Sequence, residues 1–188
     1  MDVDSKLSNH FLIAMPALAD PDFFHSVTYL CEHNEEGAMG IVVNRPHEFQ
    51  LGELFRQLEI TPEDPALTKL TVYHGGPVQP ESGFVLHELT DDQWEATMST
   101  SDGLGLTASK DIIEAIAHGK GPKNYLIALG YAGWGAGQLE EEIKQNTWLS
   151  GPATDNVIFD TPISQRWEAA ASLIGVDLSL ISNEAGHA

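Results

Sequence analysis

With 188 residues, 42% of them hydrophobic and 20% charged, the chain has the length and composition of one folded domain with a sizeable core, and it lacks the polar low-complexity tracts of a disordered protein. Nine Lys and Arg stand against 28 Asp and Glu, a formal net charge of −19 that repels phosphate backbones, so direct binding to nucleic acid is not expected. Cys31 is the only cysteine, which excludes an intramolecular disulfide and a four-thiolate zinc site and fits a reducing, cytoplasmic compartment.

The acidity reads first as a solubilising surface and second as a docking face for a basic partner. Residues 11–19, FLIAMPALA, end like a signal-peptidase site, but Asp2 and Asp4 outweigh Lys6 where such a segment is basic. Pro16 also cuts a run already too short to cross a membrane, so the segment reads as a buried strand entering a turn. Short β-rich runs at 12–14, 27–31 and 39–44, with Asn34-Glu35-Glu36-Gly37 between the last two, predict an antiparallel hairpin. Asp20-Pro21 has the form of a cap followed by a first helical residue, which predicts a helical turn over 22–25.

After Arg45-Pro46, the residues Leu51, Leu54, Phe55 and Leu58 recur at helical spacing and make one apolar face. Pro62 and Pro65 break that helix, 70–73 reads as a strand, Gly75-Gly76-Pro77 turns the chain, and 84–88 resumes as a strand. Ser109 caps a helix running to His118, with Ile112, Ile113 and Ile116 inward and Gly119 as its left-handed terminator. Residues 125–129 form an apolar strand followed by a glycine loop and a helix over 139–146, with late strands at Trp148 and 157–159. Asp160 or Thr161 caps a last helix that carries Trp167, Ala170, Ala171 and Ile174 to Gly175, and the tail from Asp177 is peripheral. Hairpin-like groups of strands with irregularly spaced helices predict an α+β fold, a single domain over 1–188 with a mixed, largely antiparallel sheet and flanking helices.

The stretch GYAGWGAGQLEEEI, 130–143, is least like ordinary scaffold. Its glycines miss the dinucleotide-binding spacing, because Gln138 stands where the third glycine belongs. Glu140, Glu141 and Glu142 would repel the anion that a helix N-terminus otherwise attracts, so the expectation is close main-chain packing under Trp134. Successive helical residues diverge by about 100°, so the three glutamates cannot converge on one metal and read as a solvated face. The eight histidines are scattered singly, and neither a metal nor a cofactor is expected.

Cys31 and His33, two apart on a predicted strand, would leave the same face as a nucleophile and its base, against the plainer reading of Cys31 as inert core. No serine stands in a glycine-flanked elbow. His74, before Gly75-Gly76-Pro77, and His87, in the strand that follows, are placed to lie close across a hairpin, where they would bind a ligand or take up a proton.

The strings FLIAMPALADPDFFHSVTYLCEH, GAMGIVVNRP, HGGPV, GFVLHE and GYAGWGAGQLEEEI, with the final Gly186-His187-Ala188, occur in an order that resembles the bacterial AlgH/YqgE family over nearly the whole chain. Ser82 departs from the arginine more usual before Gly83-Phe84, which removes a basic contribution to any shared site. The resemblance implies a cytosolic α+β protein with no established catalytic mechanism, and a transcriptional-regulator label that fits poorly with the charge of −19. No catalytic residue carries over.

The expectation is therefore a regulatory or binding protein acting through a protein partner or a small ligand, with no direct grip on DNA and none on a membrane. Its expected ligand-binding residues are His74, Gly75, Gly76, Tyr131, Gly133, Trp134 and Gly135. Two alternatives stay open: an enzyme whose pocket joins the glycine loop, the His74-Gly75-Gly76 turn and Cys31, and a scaffold using Tyr131 and Trp134 as exposed anchors.

Overall fold

The computed structural model describes residues 6–101 and 103–185. β1 (His10–Ala14) pairs antiparallel with β2 (Val27–Asn34), and β2 pairs with β3 (Gly37–Val42) in the hairpin that the turn residues 34–37 predict. Because side chains alternate along a strand, Phe11 and Ile13 enter one core with Tyr29, while Leu12 and Ala14 enter another with Leu30. Apolar residues on both faces thus make β1 a central strand. β4 (Pro46–Gln50) leads directly into α1 (Leu51–Gln57), whose Leu51, Leu54 and Phe55 are buried as their spacing predicts. A 3₁₀ turn, Pro65–Lys69, starts where the Asp64 carboxylate accepts from the Ala66 amide.

β5 (Thr71–His74), β6 (Val78–Glu88), β7 (Thr97–Ser99) and β8 (Leu104–Thr107) precede α2 (Lys110–Ala117). Then follow β9 (Tyr125–Gly135), α3 (Gln138–Lys144), β10 (Trp148–Pro152), α4 (Arg166–Ser172) and α5 (Leu178–Ala185). The sheet runs β10-β1-β2-β3-β9-β6-β8-β7, with β5 beside the first half of β9 and β4 on the outside of β5. Every pairing is antiparallel except β5 with β9, which makes the mixed, largely antiparallel sheet of an α+β fold. α1 and α2 cover one part of it, α3 another, and α4 with the start of α5 a third.

Several segments depart from expectation. The glycine stretch is no loop: β9 continues to Gly135, and only Ala136 and Gly137 turn before α3. Residues 157–159, expected as a strand, lie in a π-helical turn, Asn156–Asp160, where the Thr154 hydroxyl accepts from the Val157 amide. A three-residue apolar run carries no periodicity that separates these outcomes. The region 22–25 is a hydrogen-bonded turn without a helix, and β4, β7 and β8 had not been foreseen. The tail from Asp177 is not wholly peripheral, because Leu178 packs into the core.

Candidate functional site

Of the glycines in the stretch 130–137, Gly130 is the one that other backbone presses on, because a Cβ there would overlap the Gly76 carbonyl. Val72, Tyr73 and His74 pair in parallel with Ile127, Ala128 and Leu129, the Gly75 amide donates to the Leu129 carbonyl at 2.8 Å, and the Val42 amide donates to the Gly75 carbonyl at 2.9 Å. A Cβ on Gly75 or Gly76 would overlap the main chain of Gly130 and Tyr131. The space beside these glycines is therefore filled by backbone, and His74, Gly75, Gly76 and Tyr131 are brought together as a packed corner.

Gly133, Trp134 and Gly135 lie elsewhere, paired with Met39, Ala38 and Gly37 of β3. The Tyr131 ring stands on one face of the sheet against Phe84, with centroids 5.8 Å apart, whereas the buried Trp134 ring enters the core beneath α3 on the other. The seven residues expected to bind a ligand are thus split between two places. Trp134, at 6% exposure, offers no surface anchor.

α3 holds Trp134 through a carboxylate that the solvated-face reading had overlooked. Glu142 Oε1 accepts from Trp134 Nε1 and from Trp148 Nε1, each at 2.9 Å, and Glu142 Oε2 accepts from Gln138 Nε2 at 3.0 Å. The other end of the Gln138 side chain accepts from the Gly135 amide at 2.9 Å, closing the strand-to-helix corner. Phe23 packs on both indoles, 5.4 Å from Trp148 and 6.2 Å from Trp134. Consecutive glutamates do diverge, as expected: Glu140 turns toward His33 at 3.4 Å and Glu141 accepts from Gln145. Glu140 and Glu142 thus point at residues outside α3, and Glu141 at Gln145 at the end of its own helix.

The Cys31–His33 pair is undone by a β-bulge. Leu30 opposes Gly40 but Glu32 opposes Met39, so Cys31 is an extra residue that resets the alternation. His33 then shares a face with Ala38 and Trp134, while Cys31 packs with Tyr29 in the other core. His33 Nδ1 accepts from the Leu7 amide at 2.8 Å, which places its proton on Nε2, toward Glu140. Burial pushes the Cys31 thiol pKa far up, the opposite of a nucleophile's need.

His74 and His87 are likewise kept apart, because β9 lies between β5 and β6, with His74 opposite Leu129 and His87 opposite Tyr125. His87 is buried, bonded through Nδ1 to the Glu88 carbonyl at 2.8 Å and through Nε2 to the Thr107 hydroxyl at 2.7 Å, and burial pulls its pKa down. These are the contacts of a structural histidine.

The partner of His74 is His47, a residue the sequence reading had passed over, with ring centroids 5.9 Å apart. The His47 and Phe49 rings meet on β4 with centroids 4.1 Å apart and planes tilted by 48°, and His47 lines an open cleft of about 900 Å³ between β4, α1 and residues 60–62. Phe55, Ile60 and Pro62 give the cleft apolar walls, and Thr61, Thr68 and the Glu53–Arg56 ion pair give it polar groups. His47 Nδ1 accepts from the Glu48 amide at 3.0 Å, leaving Nε2–H as a ring donor without a partner among the described residues. The sequence signal was the alternation of PHEFQ, in which only His47 and Phe49 are half-buried.

Among the described residues, no group of three or more His, Cys, Asp or Glu is arranged to hold a metal ion, and no helix is long and apolar enough to cross a membrane. Gly186-His187-Ala188, Asp2 and Asp4 lie outside the described residues.

A curled α+β sheet threaded by a glycine-rich central strand, with an aromatic core tied to one carboxylate, is the class of protein these features define. The chain belongs to the AlgH-like family, whose profile matches residues 11–179. It is 54% identical over 188 residues to a UPF0301 protein of Thioalkalivibrio sulfidiphilus, covering 100% of both chains. It is 53% identical over 181 residues to a UPF0301 protein of Methylococcus capsulatus, covering 96% of each. The solution structure of the AlgH protein from Pseudomonas aeruginosa matches with a TM-score of 0.80 at 46% identity, over 100% of this chain and 99% of that one. A Corynebacterium diphtheriae protein shares the fold at 18% identity, with a TM-score of 0.74 over 94% and 91% of the chains.

Proposed function

We propose that this protein is a cytoplasmic regulatory or binding protein that takes a small organic ligand in the cleft beside β4 and does not grip DNA on its own. The observation that carries this reading is the cleft, whose volume of about 900 Å³ falls in the range of small-molecule sites and whose apolar walls surround a few polar groups. His47 supplies a ring donor at its edge, and His74 backs it from the packed glycine corner. Gly75 and Gly76 contribute by fixing where His74 stands. Tyr131 and Trp134 support the scaffold.

A small ligand suits this cleft better than an added strand. Among the described residues β4 pairs only with β5, but Pro46 has no amide proton and the Glu48 amide is taken by the His47 ring, so the strand's main-chain donors are depleted. Regulation of transcription, if exerted by this chain, then passes through ligand and protein contacts, because a net charge of −19 opposes a phosphate backbone.

The test is a screen of small organic metabolites by nitrogen-15 NMR. Binders are expected to move the amides of residues 46–62, and His47→Ala is expected to weaken them. Binders whose shifts avoid these residues would overturn the reading, as would tight sequence-specific DNA binding in a mobility-shift assay at physiological salt.

A further inference from the structure

On another part of the surface, three aromatic rings stack in line. The Phe24 and His25 rings, and the His25 and Trp167 rings, each have centroids 3.8 Å apart and planes inclined by 14°. Trp167 closes the inner end, anchored by its Nε1 to the Ala14 carbonyl at 2.9 Å, and Phe24 forms the outer end at 48% exposure.

The loop that presents Phe24 is heavily constrained. Arg45 donates to the Pro21, Asp22 and Phe24 carbonyls at 2.8, 2.5 and 2.6 Å, Asp20 Oδ1 accepts from the Asp22 amide, and Asn44 Nδ2 donates to the His25 carbonyl. These contacts hold His25 at a φ of 53°, a left-handed conformation costly for a residue with a Cβ. Strain held in place by that many bonds presents a large ring to water already ordered, which lowers the entropic cost of docking.

The surroundings select the partner's charge. Asp20 and Asp22 are exposed beside Phe24, and among the described residues neither carboxylate has a cation within ion-pair distance. Arg45 is occupied by carbonyls, and burial lowers the His25 pKa, which favours the neutral ring. A nucleotide would also stack on Phe24, but its phosphates would meet the carboxylates and the net charge of −19.

We propose that the outer face of Phe24 is a docking platform for an arginine-bearing segment of a basic partner protein, the guanidinium stacking on the ring and pairing with Asp20 and Asp22. The site uses residues distinct from those of the cleft, so it stands or falls independently of the ligand proposed there.

The probe is the blocked tetrapeptide acetyl-Arg₄-amide, titrated into the nitrogen-15-labelled full chain at 150 mM salt, with acetyl-Lys₄-amide as comparison. The largest shifts are expected at the amides of residues 22–25 and the Trp167 indole N–H, with the lysine peptide binding more weakly. Phe24→Ala is expected to weaken the arginine peptide about 3–10-fold, Phe24→Trp to hold or tighten it, and Asp22→Asn to weaken it about 2–3-fold. Shifts spread evenly over the acidic surface of the unaltered protein would overturn the proposal. So would a Phe24→Ala or Phe24→Leu variant that binds as tightly as the parent.

Discussion

Replacing Glu142 with alanine removes the acceptor of two indole N–H groups at once. Trp134 and Trp148 are 6% and 3% exposed, so neither ring nitrogen has ready access to water when the carboxylate is gone. A buried donor left without a partner costs about 1–3 kcal/mol, and two of them give an expected loss of about 2–4 kcal/mol, since Glu142 is itself only half-buried and some water will enter. For a chain of this length that lowers Tm by roughly 5–12 °C. Glu142→Gln keeps an acceptor oxygen and should lose only about 1 kcal/mol, the difference between a charged and a neutral acceptor. Urea unfolding followed by tryptophan emission and by backbone circular dichroism measures both variants, and the two indole N–H resonances report the lost bonds directly. A loss below about 1 kcal/mol in the alanine variant, or equal losses in the two variants, would refute the assignment of Glu142 as the shared acceptor.

Arg166 is buried at 5% exposure and, among the described residues, has only neutral partners, the Thr161 and Val43 carbonyls and the Tyr73 hydroxyl, so Arg166→Met is expected to cost about 3 kcal/mol in urea unfolding by leaving those acceptors bare. Because burial lowers the His87 pKa, the unfolded chain binds that proton first; stability is full above 6.5 and falls as pH drops toward the folded value, and His87→Gln should flatten the loss of urea midpoint between pH 7.5 and 5.5. Cys31, buried and with its thiol pKa raised, should react with an aromatic disulfide reagent at least about 100-fold more slowly in the native protein than in urea; equal rates would contradict its burial.

The hairpin of β2 and β3, the buried face of α1, and α2 with its Gly119 terminator were legible because each rests on neighbours within a few residues: a turn, helical spacing, a left-handed glycine; Ser109 stands at the N-cap of α2 but its side chain makes no capping bond. The glycine stretch misled for the same local reason. Four glycines among eight residues read as a loop, yet a strand also carries glycine where another backbone presses on it, as Gly76, distant in the chain, presses on Gly130.

The candidate site divides along the same line. His74 was marked by the turn that follows it, but its neighbour proved to be His47, twenty-seven positions earlier, because β9 separates β5 from β6 and β4 comes alongside instead. One inserted residue at Cys31 sent His33 to the opposite face, and the direction of the Glu142 side chain depended on where Trp148 lay relative to Trp134. Composition, charge and local period therefore determined that this chain folds as an acidic α+β protein, and roughly where its helices and first strands begin and end. Only the tertiary structure decided which distant strands pair and in what register. One residue of register moves a side chain to the other face of a sheet, and no local pattern in the chain carries that information.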